Sequence, residues 1–153
     1  MNSIGALIHP EDILLDLEAR TKSELFDAIG RHMKKVHDMK ARCVVLGLER
    51  REMVGSTGLG EGVAIPHTRV PDLKQVQLAF IHLKSPIDFG APDGKPVSDL
   101  LILLVPKHAA EEHLQILAET AQMFGDRVFR TQLKACGCAD EVKRLFDVWP
   151  AIF

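Results

Sequence analysis

The alternation of apolar and polar residues predicts that strands and helices follow one another along this chain. Residues 12–17 form a short apolar segment that indicates a first strand. Thr21 and Glu24 then have the spacing of a capping box, in which the threonine hydroxyl accepts an amide hydrogen bond and the glutamate reaches back to the threonine amide. Apolar residues continue at helical spacing to about Val36, so a long helix is predicted after the strand.

A second helix is predicted directly after the first. Asp38 has a side chain that is typical of a helix N-cap. Val44, Val45 and Leu48 follow at positions that would turn toward the core. This helix is expected to end near Arg51, ahead of a glycine-rich segment.

Two more strands are predicted in the middle of the chain, at residues 76–83 and 100–105. The second is apolar at every position, which is typical of a strand covered on both faces. Asp93 and Gly94 lie between them and indicate a hairpin turn, because both residue types tolerate positive φ.

The C-terminal third of the chain is predicted to be helical. One helix should start at about residue 109 and end at Gly125, and two shorter helices should cover residues 127–135 and 139–148. The apolar stripe of the first helix is predicted to consist of Leu114, Leu117, Ala118, Ala121 and Phe124. The order βααβββααα favours a single α/β domain over residues 1–153, with a mixed sheet flanked by helices on both faces.

Charge and composition narrow the classes of function. The chain has 153 residues with 19 basic and 21 acidic side chains interspersed, and its net charge is −2. This balance gives no electrostatic footprint for nucleic acid. No apolar run approaches the ~20 residues that span a bilayer, so we expect a cytoplasmic protein without membrane insertion. The three cysteines are odd in number and are expected to be reduced thiols.

The most unusual segment runs from Arg50 to Val70 and contains glycines at positions 55, 58, 60 and 62. It predicts a flexible loop, then a buried strand at residues 63–65, and then a histidine, His67, at the end of that strand. The dinucleotide pattern G-x-G-x-x-G is not satisfied from Gly58 or from Gly60. A P-loop is also excluded, because Glu61 occupies the position of the phosphate-binding lysine.

These motifs resemble the phosphotransferase-system IIA domains of the fructose/mannitol type, and most closely their nitrogen-related regulatory branch. The resemblance rests on segments 51–52, 55–60, 63–67, 85–89, 93–97, 100–106 and 113–114, which span most of the chain. One departure from the family pattern is Thr68, where many members carry glycine. The resemblance implies the family fold and a phosphotransferase that works through a phosphohistidine intermediate.

The resemblance also implies roles for three residues. His67 would accept a phosphoryl group from a phosphohistidine carrier protein similar to HPr. Arg51 would bind phosphate oxygens with its forked guanidinium, and His113 would assist from the start of its own helix. Without the resemblance, all three have plainer interpretations, as a strand-end histidine, a solvated cation and a residue on the flank of an amphipathic helix.

The glycine-rich segment itself is a candidate phosphate-binding element. Backbone amides around Gly55, Ser56 and Thr57 are predicted to form a concavity that binds an anion. No cofactor is predicted. No metal site is predicted either, because His108 and His113 are five residues apart and would point about 140° away from each other on a helix.

Two functions remain open at this point. The first is a regulatory IIA protein that controls its partners by its phosphorylation state, with potassium-transport or sensor-kinase components among the candidate targets. The second is the IIA component of a fructose or mannitol transport system that passes the phosphoryl group to a IIB protein. The oligomeric state is open as well, and a homodimer is one alternative.

Overall fold

The computed structural model of the protein describes residues 2–108 and 110–150. The helices are α1 (Ser3–Leu7), α2 (Lys22–His37), α3 (Ala41–Val54), α4 (Ala110–Gly125), α5 (Arg127–Ala135) and α6 (Ala139–Val148). The strands are β1 (Ile13–Leu17), β2 (Gly58–Gly60), β3 (Val63–Ala64), β4 (His67–Arg69), β5 (Gln77–Ile87) and β6 (Val97–Val105). A 3₁₀ turn at Pro10–Asp12 precedes β1.

The strands form one mixed sheet in the order β1-β5-β6-β3-β2, and β4 also pairs with β6. β5 and β6 are antiparallel, whereas β3 and β4 both run parallel to β6. β6 is buried at all but one of its positions, because it has neighbours at both edges and helices on both faces. The predicted α/β class with a mixed sheet and helices on both faces is therefore confirmed.

A separate apolar core lies against each face of the sheet. On one face, α1, α4, α5 and α6 pack around four phenylalanines in which neighbouring ring centroids are 5.5–6.5 Å apart, namely Phe80, Phe124, Phe129 and Phe146. On the other face, α2 and α3 bury a second set that includes Phe26, Leu48 and Ile102. The sheet thus lies between two apolar layers that together hold the helices in place.

The start of α2 is as predicted, with one difference in its capping. The Glu24 amide donates to Thr21 Oγ1 at 3.1 Å, so Thr21 is the N-cap. The Glu24 carboxylate, however, accepts a hydrogen bond from the amide of Arg20 at 3.0 Å and not from the amide of Thr21. The reciprocal bond is therefore displaced by one residue along the chain.

The prediction that Asp38 caps α3 is wrong. Asp38 ends α2 in the left-handed conformation, with φ of 54°, and its amide donates to the Lys34 carbonyl at 3.1 Å. Aspartate tolerates this conformation better than most residues, so it can close a helix as well as open one. α3 begins three residues later, at Ala41, and its N-cap Lys40 makes no side-chain hydrogen bond.

The predicted inward face of α4 is correct only in part: Phe124 is buried and Leu117 packs against the core, but the other three residues are not buried. Leu114 is 67% exposed, and Ala118 and Ala121 are exposed as well. Besides Phe124, the buried face carries Ile116, Thr120 and Met123, which were not predicted. Apolar residues occupy two adjacent stripes of this helix, and contact with the phenylalanine core decides which stripe is buried.

The glycine-rich segment forms a hairpin where a flexible loop was predicted. β2 pairs antiparallel with β3 across a two-residue turn of Glu61 and Gly62, whose φ angles are 56° and 81°. Positive φ at both central residues is typical of a tight hairpin that matches the strand twist. Asp93 stabilises the turn, because its carboxylate accepts the Glu61 amide at 2.8 Å.

The link between β5 and β6 confirms the predicted antiparallel pair, although only one residue of its turn has positive φ. Gly94 has φ of 72°, while Asp93 does not have positive φ and accepts the Lys95 amide through its side chain at 3.1 Å. Trp149, in the apolar tail that follows α6, packs on the core and donates to Asp126 at 3.0 Å. Residues 151–153 of that tail lie outside the described residues.

None of the described helices is long and apolar enough to span a membrane.

The two stripes of α4 give a test of the fold. Ile116→Ala is expected to lower the free energy of unfolding by about 2–5 kcal/mol, because it opens a cavity in the core. Leu114→Ala should change it by less than about 0.5 kcal/mol, because that side chain is mostly in solvent. Urea unfolding of both variants, followed by circular dichroism, measures the difference. Equal losses would contradict the assigned buried face.

Candidate functional site

A cleft of about 760 Å³ opens between α3, β4 and the first turns of α4. Its described lining side chains include three arginines, Arg50, Arg51 and Arg69, and no carboxylate. His67 and His113 line the same cleft. The cleft is therefore a positively charged pocket with two imidazoles in its wall, which suits an anionic group.

His67 is positioned by a break between two strands that both pair with β6. β3 ends at Ala64, and Ile65 and Pro66 separate it from β4, which begins at His67 itself. The Pro66 carbonyl accepts the Leu103 amide at 2.9 Å, so the break is fastened to the central strand. His67 is half-buried and was predicted at a strand end, and in the structure it is the first residue of the next strand.

The hydrogen bonds of His67 define its tautomer. Nδ1 lies 2.8 Å from the Ile65 carbonyl oxygen. A carbonyl can only accept, so Nδ1 carries the proton in the neutral ring and Nε2 carries a lone pair. Nε2 in turn accepts a hydrogen bond from Nε of Arg51 at 3.3 Å. The nitrogen of His67 that carries the lone pair therefore faces the guanidinium.

Arg51 lies in the last turn of α3, as the sequence predicted, although the helix continues to Val54. Its Nη1 donates to the Gly55 carbonyl at 2.9 Å, which fixes the guanidinium beside His67. Burial lowers the pKa of His67 below its ordinary value of 6.5, and the cation of Arg51 lowers the pKa further. His67 is therefore largely neutral at neutral pH.

His113 is the second imidazole of the cleft and is only 6% exposed. Its Nε2 is buried and has no hydrogen-bond partner among residues 2–108 and 110–150. Burial lowers the pKa of His113, and the nearby cation of Arg69 lowers the pKa further. The structure thus brings His67, Arg51 and His113 together around one cleft.

The three predicted phosphate-binding residues are already engaged within the protein. Ser56 Oγ donates to the Phe89 carbonyl at 2.6 Å. The hydroxyl and the amide of Thr57 both donate to the Glu52 carboxylate. The Gly55 carbonyl accepts from Arg51, as described above. These contacts give the segment a structural role, and phosphate binding by its amides stays a prediction.

Glu52 organises this side of the cleft, although the sequence suggested no role for it beyond the motif. Its side chain is only 5% exposed, and it pairs with Lys22 Nζ at 2.9 Å as well as with Thr57. Lys22 also lies 4.3 Å from the centre of the Phe89 ring. One carboxylate thus ties α2, α3 and the β2 hairpin together, directly beside Arg51.

Two further residues of β4 line the cleft, although the sequence did not predict them as site residues. Arg69 lies two positions beyond His67, so strand alternation would have placed both on one side. Thr68, the departure from the family pattern, packs on α3 at Gly47. A Cβ atom at Gly47 would lie 2.8 Å from Thr68 Oγ1, so the Thr68 side chain requires glycine at position 47.

A neutral imidazole beside a guanidinium and a second imidazole is an arrangement that would suit a phosphoryl group, because phosphoryl transfer depends mainly on positioning and charge stabilisation. The chain matches the family model of the phosphoenolpyruvate-dependent sugar phosphotransferase system, EIIA 2, over residues 6–148. It therefore belongs to this family. Members are phosphotransfer proteins, so a general phosphotransferase role follows.

Individual relatives point to the regulatory branch. The chain is 33% identical to a nitrogen regulatory protein of Pseudomonas aeruginosa over 146 residues, which cover 95% of each chain. It is also 33% identical to a nitrogen regulatory protein of Bradyrhizobium diazoefficiens, with 97% of each chain covered. The crystal structure of the nitrogen regulatory protein IIA-Ntr from Neisseria meningitidis is 41% identical, with a TM-score of 0.89 and coverage of 95% of this chain and 99% of that chain.

The electrostatics of the cleft can be tested at His67 directly. Arg51→Gln is expected to raise the pKa of His67, because it removes a cation that disfavours the imidazolium. The pKa should stay below 6.5, because burial is the larger cause and remains. NMR titration of the imidazole signals measures both effects. Arg50→Gln is the control, and an equal shift in that variant would show that Arg51 has no special contact with His67.

Proposed function

We propose that the protein accepts a phosphoryl group on Nε2 of His67 from a phosphohistidine carrier protein similar to HPr. We further propose that its phosphorylation state controls the partner proteins that it binds. The observation that carries the proposal is the hydrogen bond from Nδ1 of His67 to the Ile65 carbonyl. It leaves the lone pair of Nε2 directed at Arg51 in a basic cleft.

The transfer needs no external base. The lone pair of His67 Nε2 forms the new N–P bond while the N–P bond of the donor breaks, and the donor imidazole keeps the electron pair. As the bond forms, the His67 ring becomes more positive at Nδ1. The Ile65 carbonyl already accepts the Nδ1 proton and stabilises that charge.

Arg51 and His113 are suited to the charge of the phosphoryl oxygens. Nε of Arg51 contacts the attacking nitrogen, so its donors lie beside the position where the phosphoryl group would arrive. His113 has a buried Nε2 without a partner among the described residues, and an unsatisfied buried polar group costs about 1–3 kcal/mol. A phosphoryl oxygen in the cleft would relieve this cost by accepting a hydrogen bond from Nε2–H of His113.

The surroundings of the cleft suit a protein as the phosphoryl donor. Leu114 lines the cleft and is 67% exposed, and Met53 and Val54, both 85% exposed, follow Arg51 at the end of α3. Exposed apolar side chains next to a basic cleft are typical of a protein-binding surface. A carrier that presents its phosphohistidine from an apolar surface would fit both features.

The regulatory role is preferred over sugar transport because the curated relatives described above are nitrogen regulatory proteins. Potassium-transport and sensor-kinase components are the proposed targets. The alternative function, delivery of the phosphoryl group to a sugar-specific IIB protein, would use the same chemistry at His67. If the phosphorylated protein does not transfer its phosphoryl group to purified IIB proteins, the regulatory role is favoured over sugar transport.

The main test is to identify the phosphorylated atom. Incubation with enzyme I, an HPr-like carrier and phosphoenolpyruvate is expected to give one acid-labile, base-stable phosphoryl group per chain, on His67. Mass spectrometry locates it, and phosphorus–nitrogen couplings in NMR spectra assign it to Nε2. His67→Ala should abolish labelling while thermal unfolding stays cooperative. Phosphate on Ser56 or Thr57 would overturn the proposal.

His113→Ala is the matched variant in the same cleft. It should slow labelling by roughly ten- to a hundredfold, because one donor to the phosphoryl oxygens is lost. His67 should remain the only labelled residue. Labelling at the wild-type rate, with an equally long-lived product, would show that His113 serves only the packing of α4.

The docking surface has a separate test. Leu114→Glu should slow transfer from the carrier protein on the order of tenfold, because a charge enters an apolar contact. Labelling by phosphoramidate, a small chemical donor, should be unchanged, because the chemistry at His67 is intact. Val128→Glu is the control, since Val128 is also exposed, at 54%, but lies on α5. Equal effects in both variants, or loss of labelling by both donors, would contradict docking through Leu114.

A further inference from the structure

Three potential metal ligands converge where the N-terminal segment meets α2. Asp12 ends the 3₁₀ turn before β1, and His32 and His37 lie in the last turns of α2. Nε2 of His32 and Nε2 of His37 are each 2.7 Å from the same carboxylate oxygen, Oδ1 of Asp12. The three ligand atoms all lie within 4.8 Å of one another. None of these residues lines the cleft of His67.

We propose that Asp12, His32 and His37 form a binding site for a divalent transition-metal ion, with Zn²⁺ as the best match to the ligand set. Two imidazole nitrogens and one carboxylate oxygen form a set that binds zinc and its neighbours in the first transition row. Calcium and magnesium prefer oxygen ligands only, so they fit this site poorly.

The carboxylate is held in the orientation that a metal ligand needs. Gln77 Nε2 donates to Oδ2 of Asp12 at 3.0 Å, which leaves Oδ1 directed at the two histidines. Residues that orient a ligand in this way are a regular part of metal sites. Asp12 is fully buried, so its carboxylate depends on these partners for its hydrogen bonds.

The site also has access from solvent. The side chains of His32 and His37 are 11% and 18% exposed, and His37 lines a cavity of about 310 Å³. Three protein ligands leave the fourth position of a tetrahedral zinc ion for water. Binding would replace the hydrogen bonds between the two Nε2 atoms and Asp12 by bonds to the ion.

The geometry requires only a small adjustment. Zinc–ligand distances of about 2.0–2.2 Å separate the ligand atoms of a tetrahedral site by roughly 3.4 Å. Each Nε2 atom would therefore move away from Oδ1 by about 0.7 Å, from its present 2.7 Å. Small rotations of two partly exposed side chains supply this movement.

The five-residue spacing of His32 and His37 explains why no sequence pattern indicated the site. Two side chains that far apart on a helix diverge by about 140° and do not meet on one face. They converge here because Asp12, from outside the helix, lies within reach of both, and because His37 is the last residue of α2. A metal ion would therefore tie the N-terminal segment to this helix.

Metal titration of the full chain tests the proposal. After removal of bound metal by chelator and dialysis, Zn²⁺ is expected to bind at one equivalent per chain. It should raise the melting temperature by roughly 5–10 °C when free Zn²⁺ is at a hundred times its Kd. Co²⁺ should give the visible absorption of a tetrahedral site. No stabilisation by Zn²⁺ and no such absorption would overturn the proposal.

Single substitutions locate the ion. His32→Gln and His37→Gln are expected to lose the Co²⁺ absorption and the thermal shift. His82→Gln is the matched control, because His82 also contacts a carboxylate, Asp99, at 2.7 Å but has no second histidine there. Cys136→Ser with Cys138→Ser should bind as the wild type does. Retained binding in both α2 variants would refute the site, and loss of binding in the cysteine variant would refute it by placing the ion at the thiols.

A second measurement does not depend on the folding of any variant. In the unmodified protein, Zn²⁺ should shift the imidazole NMR signals of His32 and His37 and leave those of His67 and His113 unchanged. Shifts of the cleft histidines instead would also refute the site. Because the readout is separate from phosphoryl transfer, its failure would leave the function proposed for His67 untouched.

Discussion

Nearly every functional feature of this protein depends on the hydrogen bonding of the central strand β6. It pairs with β5 on one side and with both β3 and β4 on the other. β3 and β4 both run parallel to this strand in the same register, and Ile65 and Pro66 interrupt the pairing between them. The Ile65 carbonyl is thereby left free to accept the proton of His67 Nδ1, and this bond selects the nitrogen that faces the cleft.

The cleft combines burial with positive charge, and the two act in the same direction on its imidazoles. Burial and neighbouring cations both lower the pKa of His67 and His113, so two neutral rings lie among arginines. Such a site disfavours extra protons and favours an anion. α4 contributes two residues to the cleft. His113 is buried in its wall, and Leu114 is exposed at its rim.

Local patterns were sufficient for much of the fold. The predicted bounds of α5 and α6 are confirmed, and Thr21 is the N-cap of α2, because capping and helical periodicity involve residues within one or two turns of each other. The fully apolar run at residues 100–105 predicted a doubly covered strand for the same reason. Likewise, the family motif around His67 is contiguous, so it can be recognised in the amino-acid sequence alone.

The sequence by itself therefore determined the class of fold, most helix bounds and the candidate nucleophile. The tertiary structure decided which apolar stripe of α4 is buried, whether Asp38 opens or closes a helix, and how Asp12 meets two histidines of α2. Each of these depends on contacts between residues distant in the chain. A helix with two apolar stripes buries the one that its neighbours cover, and residues 20 or more positions apart meet only once the sheet and helices have packed.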